Sequence, residues 1–230
     1  MNFSCVTPGF ECWDGGREIA RHRHELAYAS LVLAGAYEEA GDAGRQRVCA
    51  GDVLVHQPFD AHLDRFSAAG AEILNLPLAG WRVRSLLGHC PDSDAVARTA
   101  ERDPAEAVKL LFALILPRET TVQDWPDILA RNITDDPYLN LGKWARGAGM
   151  ANATVSRGFR RVFGLSPVAF RLQSRARRAW REAVEGQDAL AAVAANAGFA
   201  DQAHMTRSVG ALTGRTPRQW RAPWSNGFKT

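Results

Sequence analysis

Between Arg17 and Ala71 apolar and polar positions follow a period of two. Leu26, Tyr28, Ser30 and Val32 alternate with their neighbours, and Val53-Leu54-Val55 reads as another short strand. Gly35, Gly41-Asp42-Ala43-Gly44 and Gly51-Asp52 punctuate the run as turns, and Pro58-Phe59-Asp60 forms a loop before His62. Short strands with glycine-rich turns predict a small barrel or sandwich. After Asp92 the period becomes helical. Helices are predicted over Asp94 to Ala100, Pro104 to Leu116 and Pro126 to Asn132. Pro104 suits a first helical turn and Pro117 a stop. Beyond Pro137 the chain reads as helical nearly to its end. The pattern predicts an α+β protein of two domains: a barrel over 1–90, a helical linker or dimerisation region over 91–137, and an all-α region over 138–223.

The all-α region repeats itself. Val155-Ser156-Arg157-Gly158-Phe159 recurs as Met205-Thr206-Arg207-Ser208-Val209, and Gly164-Leu165-Ser166-Pro167 as Gly214-Arg215-Thr216-Pro217, both at an offset of 50. Each copy opens with an alanine-rich amphipathic helix, Leu141 to Ala148 or Asp188 to Ala195, followed by Gly149 or Gly198. Glycine supplies the positive φ that a tight turn between helices needs. The second helix buries Val155 and Phe159, or Met205 and Val209, four apart on one face. Its other face presents Ser156, Arg157, Arg160 and Arg161, or Thr206 and Arg207. Asp201 is placed to cap its helix. One connecting helix, Pro167 to Glu185, would span about 27 Å. Successive major-groove faces repeat about every 34 Å, so the connector suits two helices reading one face of a duplex.

Charge strengthens this picture. From Leu139 onward there are 15 Lys and Arg against 4 Asp and Glu, net +11; up to Tyr138 there are 13 against 21, net −8. An acidic half joined to a basic half suits a sensor attached to a polyanion-binding module. No apolar run approaches the roughly 18 residues of a membrane span. The N-terminus carries no basic segment followed by an apolar block, so a cytoplasmic location is expected. Cys5, Cys12, Cys49 and Cys90 form no C-x-x-C pair and read as free thiols.

The segment Ala194-Ala195-Asn196-Ala197-Gly198-Phe199-Ala200-Asp201-Gln202-Ala203-His204-Met205-Thr206-Arg207, with Leu212-Thr213-Gly214-Arg215-Thr216-Pro217-Arg218-Gln219-Trp220-Arg221, resembles the signature of the AraC/XylS transcription regulators. Ser156 to Pro167 and Arg175-Ala176-Arg177-Arg178-Ala179 resemble the same family's first unit and connector. The resemblance covers about 85 residues, Leu139 to Pro223. It implies base readers early in each recognition helix: Ala153, Ser156 and Arg157, then Ala203, Thr206 and Arg207. Arg160, Arg161, Arg175 and Arg178 would hold phosphates or stay solvated. The family usually carries phenylalanine at Met205 and Val209 and a basic residue at Gly210. These departures, with Ser208, predict a weaker grip by the second unit.

Upstream, His22-Arg23-His24 lies six residues after Gly16, and Gly35, Gly51, Pro58 and His62 follow. The spacing resembles a cupin, a barrel that AraC-type regulators often carry as sensor. The glutamate that the cupin pattern places about four residues after the second histidine is missing; Tyr28 and Ala29 stand there. His22 and His24 share a strand face. With His62, and His56 approaching, they would hold Zn²⁺ or Fe²⁺, or else line an organic-ligand pocket with Tyr28. The second reading is the favoured one.

The expectation is a non-enzymatic, ligand-controlled regulator. Its partners would be double-stranded promoter DNA, RNA polymerase, an unknown small effector and a second copy of the chain. The alternative is a metal-dependent cupin enzyme fused to a DNA-binding domain. The missing glutamate, and the lack of a Ser/His/Asp or Cys/His arrangement, weigh against it.

Overall fold

The computed structural model describes residues 9–42, 44–79, 81, 85–119 and 124–221. Cys5, Ala43 and Pro223 therefore lie outside the described residues. The architecture is α+β. The described residues up to Ile128, with Val162–Gly164, form one compact unit, and the others from Leu129 form a second.

The first unit is a folded antiparallel sheet. Its strands are β1 (Gly9–Trp13), β2 (Glu18–Arg23), β3 (Tyr28–Gly41), β4 (Gly44–Cys49), β5 (Asp52–His56), β6 (Ala61–Pro77), β7 (Leu86–His89) and β8 (Leu116–Pro117). The sheet order is β1-β6-β3-β5-β7-β8, with β2 on β6 and β4 on β3. The long strands β3 and β6 pair with each other from Tyr28↔Pro77 to Glu39↔Asp64 and run through both halves of the fold. Before its bend β3 also pairs with β5, and after it with β4. Register shifts between Val32 and Ala34, and between Gly35 and Tyr37, mark the bend. Gly35 (φ 74°) and Gly70 (φ 71°) make it possible. A Cβ on Gly35 would stand 2.1 Å from the Gly70 carbonyl oxygen, and one on Gly70 2.2 Å from that of Trp13.

Two apolar clusters explain why the sequence between Tyr28 and Val55 is apolar on both phases. Leu31, Val53, Val55, Leu74 and Leu76 pack with Val96, Ala107, Val108 and Leu111 of the helices α1 (Ser93–Ala100) and α2 (Pro104–Leu114). Val32, Tyr37, Val48, Leu54, Phe66 and Ile73 pack between the two halves of the sheet. Burial on both faces therefore continues the hydrophobic run beyond simple alternation. Leu26 is a correction to the predicted pattern: it precedes β3 and is 55% exposed. The predicted strand region was also too short, since β1, the end of β6, β7 and β8 lie outside it. Helix α2 stops at Leu114, two residues early, because Ile115 is extended and leads into the pairing of β8 with β7.

The second unit contains most of α3 (Trp125–Asp135), then α4 (Leu141–Gly147), α5 (Asn152–Phe163), α6 (Pro167–Glu185), α7 (Leu190–Asn196), α8 (Gln202–Thr213) and α9 (Pro217–Arg221). The predicted connector α6 has its expected bounds, capped by Ser166, whose Oγ accepts the Ala169 N–H. The first helix of the second copy begins at Leu190 instead of Asp188, with Ala189 as a cap that makes no side-chain bond. Phe159 packs edge-on to Phe170 with centroids 5.2 Å apart, and Phe163, Met205 and Val209 are fully buried. Among the described residues no helix is long and apolar enough to cross a membrane.

Candidate functional site

In the first unit, three cross-strand pairs bring the polar residues together. His22 on β2 stands opposite His62 on β6, Tyr28 on β3 opposite His56 on β5, and Glu39 on β3 opposite Asp64 on β6. His24 follows β2 and meets His22 edge-on, centroids 4.9 Å apart. Its carbonyl accepts the N–H of Phe59, the one non-glycine residue with positive φ among those described. Around these groups lies a cavity of about 230 Å³. Trp13, Ile19, Phe66 and Ile73 supply its apolar wall; His22, His24, Tyr28, Glu39, His62 and Asp64 supply its polar one. His56 stands behind Tyr28, its ring stacked at 4.4 Å. The structure thus gathers all five expected histidine and tyrosine residues.

Contacts within the cluster are close. The Nε2 atoms of His22 and His62 lie 3.0 Å apart, and Tyr28 Oη lies 3.5 Å from His62 Nε2. Glu39 faces His56 Nε2 at 3.6 Å and His62 Nδ1 at 4.0 Å. His56 Nε2, His62 Nδ1 and Asp64 Oδ1 are buried without a hydrogen-bond partner among the described residues. Such orphaned atoms are rare in folded proteins and call for a partner, whether water, an ion or a ligand.

Burial governs protonation here. It pushes the His56 imidazole down to about 3, helped by His24 and His22. It also holds His62 well below its ordinary value, with His56, His22 and His24 acting the same way. It raises Asp64 to about 8 against the pull of Arg21, and raises Glu39 well above the carboxylate range, with Asp64 adding to the effect. At neutral pH these imidazoles are neutral lone-pair donors. For both carboxyls the effect of burial outweighs the countercharge of Arg21.

Two sets of side chains can hold a metal ion: His22, His24 and His62, and Glu39, His56 and His62. Sequence reasoning anticipated the first set and missed Glu39 and Asp64. A period-two phase that carries Tyr37 and Glu39 inward, and His62 with Asp64, was the available signal. It needed the β3–β6 register to be read.

The second unit carries the repeated helix pair. Asn140 Oδ1 accepts the Lys143 N–H at the start of α4. At its end Gly149 turns the chain with φ 68°, and Met150 N–H donates to Ala145 O. The second copy does the same with Gly198 (φ 81°) and Phe199 N–H to Ala194 O. Here the offset is 49, not 50, because one more residue lies between Gly198 and α8 than between Gly149 and α5. Asp201 caps α8 as expected, accepting the His204 N–H at 2.7 Å.

On α5 Val155, Phe159 and Phe163 face the core, while Ala153, Arg157, Arg160 and Arg161 are exposed and Ser156 is half-buried. On α8 Met205 and Val209 are buried, Ala203 and Arg207 are exposed and Thr206 is half-buried. Arg157 and Arg207 therefore occupy matching outward positions. The connector arginines differ from expectation. Arg175 donates to Pro137 O, Arg178 to Thr134 O and Asp135 O, and Arg171 to Leu139 O. Arg175 and Arg178 are tied to backbone carbonyls in and just after the last turn of α3, so they brace that end of the helix.

Residues 144–223 match the family model described as a helix-turn-helix domain. No curated protein matches the chain. Among solved structures, the unsaturated fatty acid bound ToxT of Vibrio cholerae is 9% identical, with 93% of each chain covered and a TM-score of 0.41. The DNA-binding domain of the global transcriptional factor AdpA, in complex with a target DNA, is 20% identical over 44% of this chain and 94% of that one, TM-score 0.42. KdgF from Halomonas sp. is 22% identical over 30% of this chain and 67% of that one, TM-score 0.27.

Proposed function

We propose that this chain, whose residues 144–223 match a helix-turn-helix domain, is a sequence-specific transcription regulator of the AraC type, controlled by a small effector or a metal ion in its N-terminal unit. The observation that carries the reading is the duplicated helix pair, with Arg157 and Arg207 exposed at matching places on α5 and α8. Ala153, Ser156 and Arg157, and Ala203, Thr206 and Arg207, are the base-edge readers. An arginine there pairs bidentately with guanine in the major groove. Arg160 and Arg161 serve the phosphates.

The cavity between the sheet halves is the effector site. Its lining includes Glu11, Glu39 and Asp64 and, among the described residues, no Lys or Arg. That balance favours a neutral or cationic ligand, or a metal, over a free anion. Occupancy acts as a switch only where it favours one arrangement of the protein over another. Residues 1–90 are the sensor, 91–137 join it to the DNA-binding region over 138–223, and the regulator works in the cytoplasm as a homodimer that meets RNA polymerase.

The test is selection of bound fragments from genomic DNA, then a titration of the recovered site against random competitor. A recovered site bound at least about 10³-fold more tightly than random sequence supports the reading. Equal affinity for both would reduce the chain to a nonspecific polyanion binder.

A further inference from the structure

The histidine cluster holds a chain of hydrogen bonds that fixes which nitrogen is free. His22 Nδ1 lies 3.1 Å from the Ala20 carbonyl oxygen. A carbonyl only accepts, so His22 carries its proton on Nδ1 and presents a lone pair at Nε2. His62 Nε2 lies 3.0 Å from that lone pair and so must be the donor. With its proton on Nε2, His62 presents a lone pair at Nδ1. That atom is buried, has no hydrogen-bond partner among the described residues and faces Glu39 Oε1 at 4.0 Å. His56 Nε2, also buried and unpartnered, faces the other oxygen of the same carboxylate at 3.6 Å.

We propose that Glu39, His56 Nε2 and His62 Nδ1 bind a divalent transition ion of the Zn²⁺ type, with His22 as the positioning residue that sets the His62 tautomer. A tetrahedral ion with bonds of about 2.0–2.1 Å holds its ligands about 3.4 Å apart. One ligand atom from each of the three residues lies within 4.8 Å of the others, and Glu39 already faces His56 Nε2 at 3.6 Å and His62 Nδ1 at 4.0 Å, so a small inward shift of the side chains closes the site. Two imidazoles and a carboxylate form a set suited to Zn²⁺ and leave one position open. Glu39 and His62 line the cavity, which puts that position within reach of water or a cavity ligand.

This assignment differs from the one that the His22-Arg23-His24 spacing suggests. In that set both His22 and His24 are ligands. Here His22 supports a ligand by accepting its N–H, as second imidazole nitrogens of ligating histidines commonly require, and His24 takes no part. Glu39, from the far end of β3, replaces the carboxylate absent at Tyr28. Assigning the ion as effector rests on the regulator reading above; the site itself does not.

The test uses the full chain, stripped with chelator and titrated with Zn²⁺ by equilibrium dialysis and with Co²⁺ by visible absorption. One ion per chain is expected, with the intense d–d bands of a four-coordinate Co²⁺. Glu39→Gln, which keeps the side chain's shape, and His56→Ala should abolish both signals. His22→Ala should weaken binding by about 10–100-fold, the size of a lost supporting hydrogen bond. His22→Gln, whose amide oxygen still accepts from His62, should restore most of it. His24→Ala should leave affinity and spectrum unchanged. No stoichiometric ion, or binding that survives Glu39→Gln and His56→Ala while failing in His24→Ala, overturns the site. A parallel DNA titration separates the two readings. An ion held by these residues that leaves DNA affinity unmoved keeps the site and removes its regulatory role.

Discussion

Glu39 on β3 and Asp64 on β6 stand directly opposite each other in the sheet, both buried. Burial holds both carboxyls above their ordinary range, Asp64 at about 8, so at neutral pH folding forces Asp64 to keep a proton that the unfolded chain releases, and this costs stability. Neither side chain is needed for the fold on these grounds, and their juxtaposition points to a site. The ligand-free N-terminal unit should therefore be stabilised by Asp64→Asn, by about 1 kcal/mol. Chemical denaturation followed by the fluorescence of Trp13, which lines the same cavity, reads this directly. A loss of stability would mean that Asp64 serves the fold through bonds that asparagine does not reproduce.

The same pair shows what the sequence made legible and what it did not. The helix-turn-helix half could be read because its information is local: the four-residue spacing of Val155 and Phe159, glycines that turn the chain, and Asp201 ahead of its helix. The histidines could be read as a spaced motif. Glu39 could not, since its partner Asp64 is 25 residues away and only the β3–β6 register brings them together. Helix starts were misplaced where no side chain marks them, as at Ala189. Arg175 and Arg178 read as phosphate contacts or solvated charges, because charge alone does not reveal a backbone carbonyl within reach.

A second prediction concerns acid stability. Arg45 donates to both oxygens of Asp127, which is 1% exposed, and also reaches Asp124. Burial alone would raise the Asp127 pKa, but the hydrogen bonds from the Arg45 side chain and backbone outweigh it and hold the carboxyl below its ordinary value. A depressed carboxylate contributes stability above its unfolded pKa, near about 3.9, and that contribution is lost as pH falls through the lower folded value. The N-terminal unit should thus lose stability below about pH 4. Asp127→Asn should remove about 3 kcal/mol at neutral pH, by leaving Arg45 short of its buried partner, and should flatten the acid limb. Urea midpoints collected from neutral pH down to pH 3 test both; an acid limb of unchanged steepness in the variant would assign it to other carboxylates.

A third prediction separates base reading from charge. Arg157→Ala should weaken binding to the selected site by about 1–3 kcal/mol and relax preference at one base position. Arg161→Ala should instead lower affinity on specific and random DNA alike, and reduce the slope of binding against salt by about one ion. Arg207→Ala should cost less than Arg157→Ala, since α8 carries Ser208 and Gly210 where α5 carries Gly158 and Arg160. Competition titrations at two salt concentrations decide the matter. Equal losses on both DNAs for Arg157→Ala would remove it from base reading.

The difference between the two recognition helices can itself be reversed. Gly210 sits inside α8 at the place that Arg160 holds in α5, 50 residues earlier, and a Cβ built there meets no atom within 4 Å. Its backbone is helical, so a side chain brings no strain, and glycine in a helix interior costs about 1 kcal/mol relative to alanine. Gly210→Ala should therefore raise the stability of the C-terminal unit by up to about 1 kcal/mol with little change in DNA binding. Gly210→Arg adds a cation on the same helix. If the second unit is weak for want of a phosphate contact, the arginine variant should bind all DNA more tightly than the alanine variant and steepen the salt dependence by about one ion. Comparing the two variants removes the helix-propensity effect common to both. Indistinguishable salt slopes would show that position 210 does not face the phosphates, and that the weaker grip of α8 lies in its base contacts.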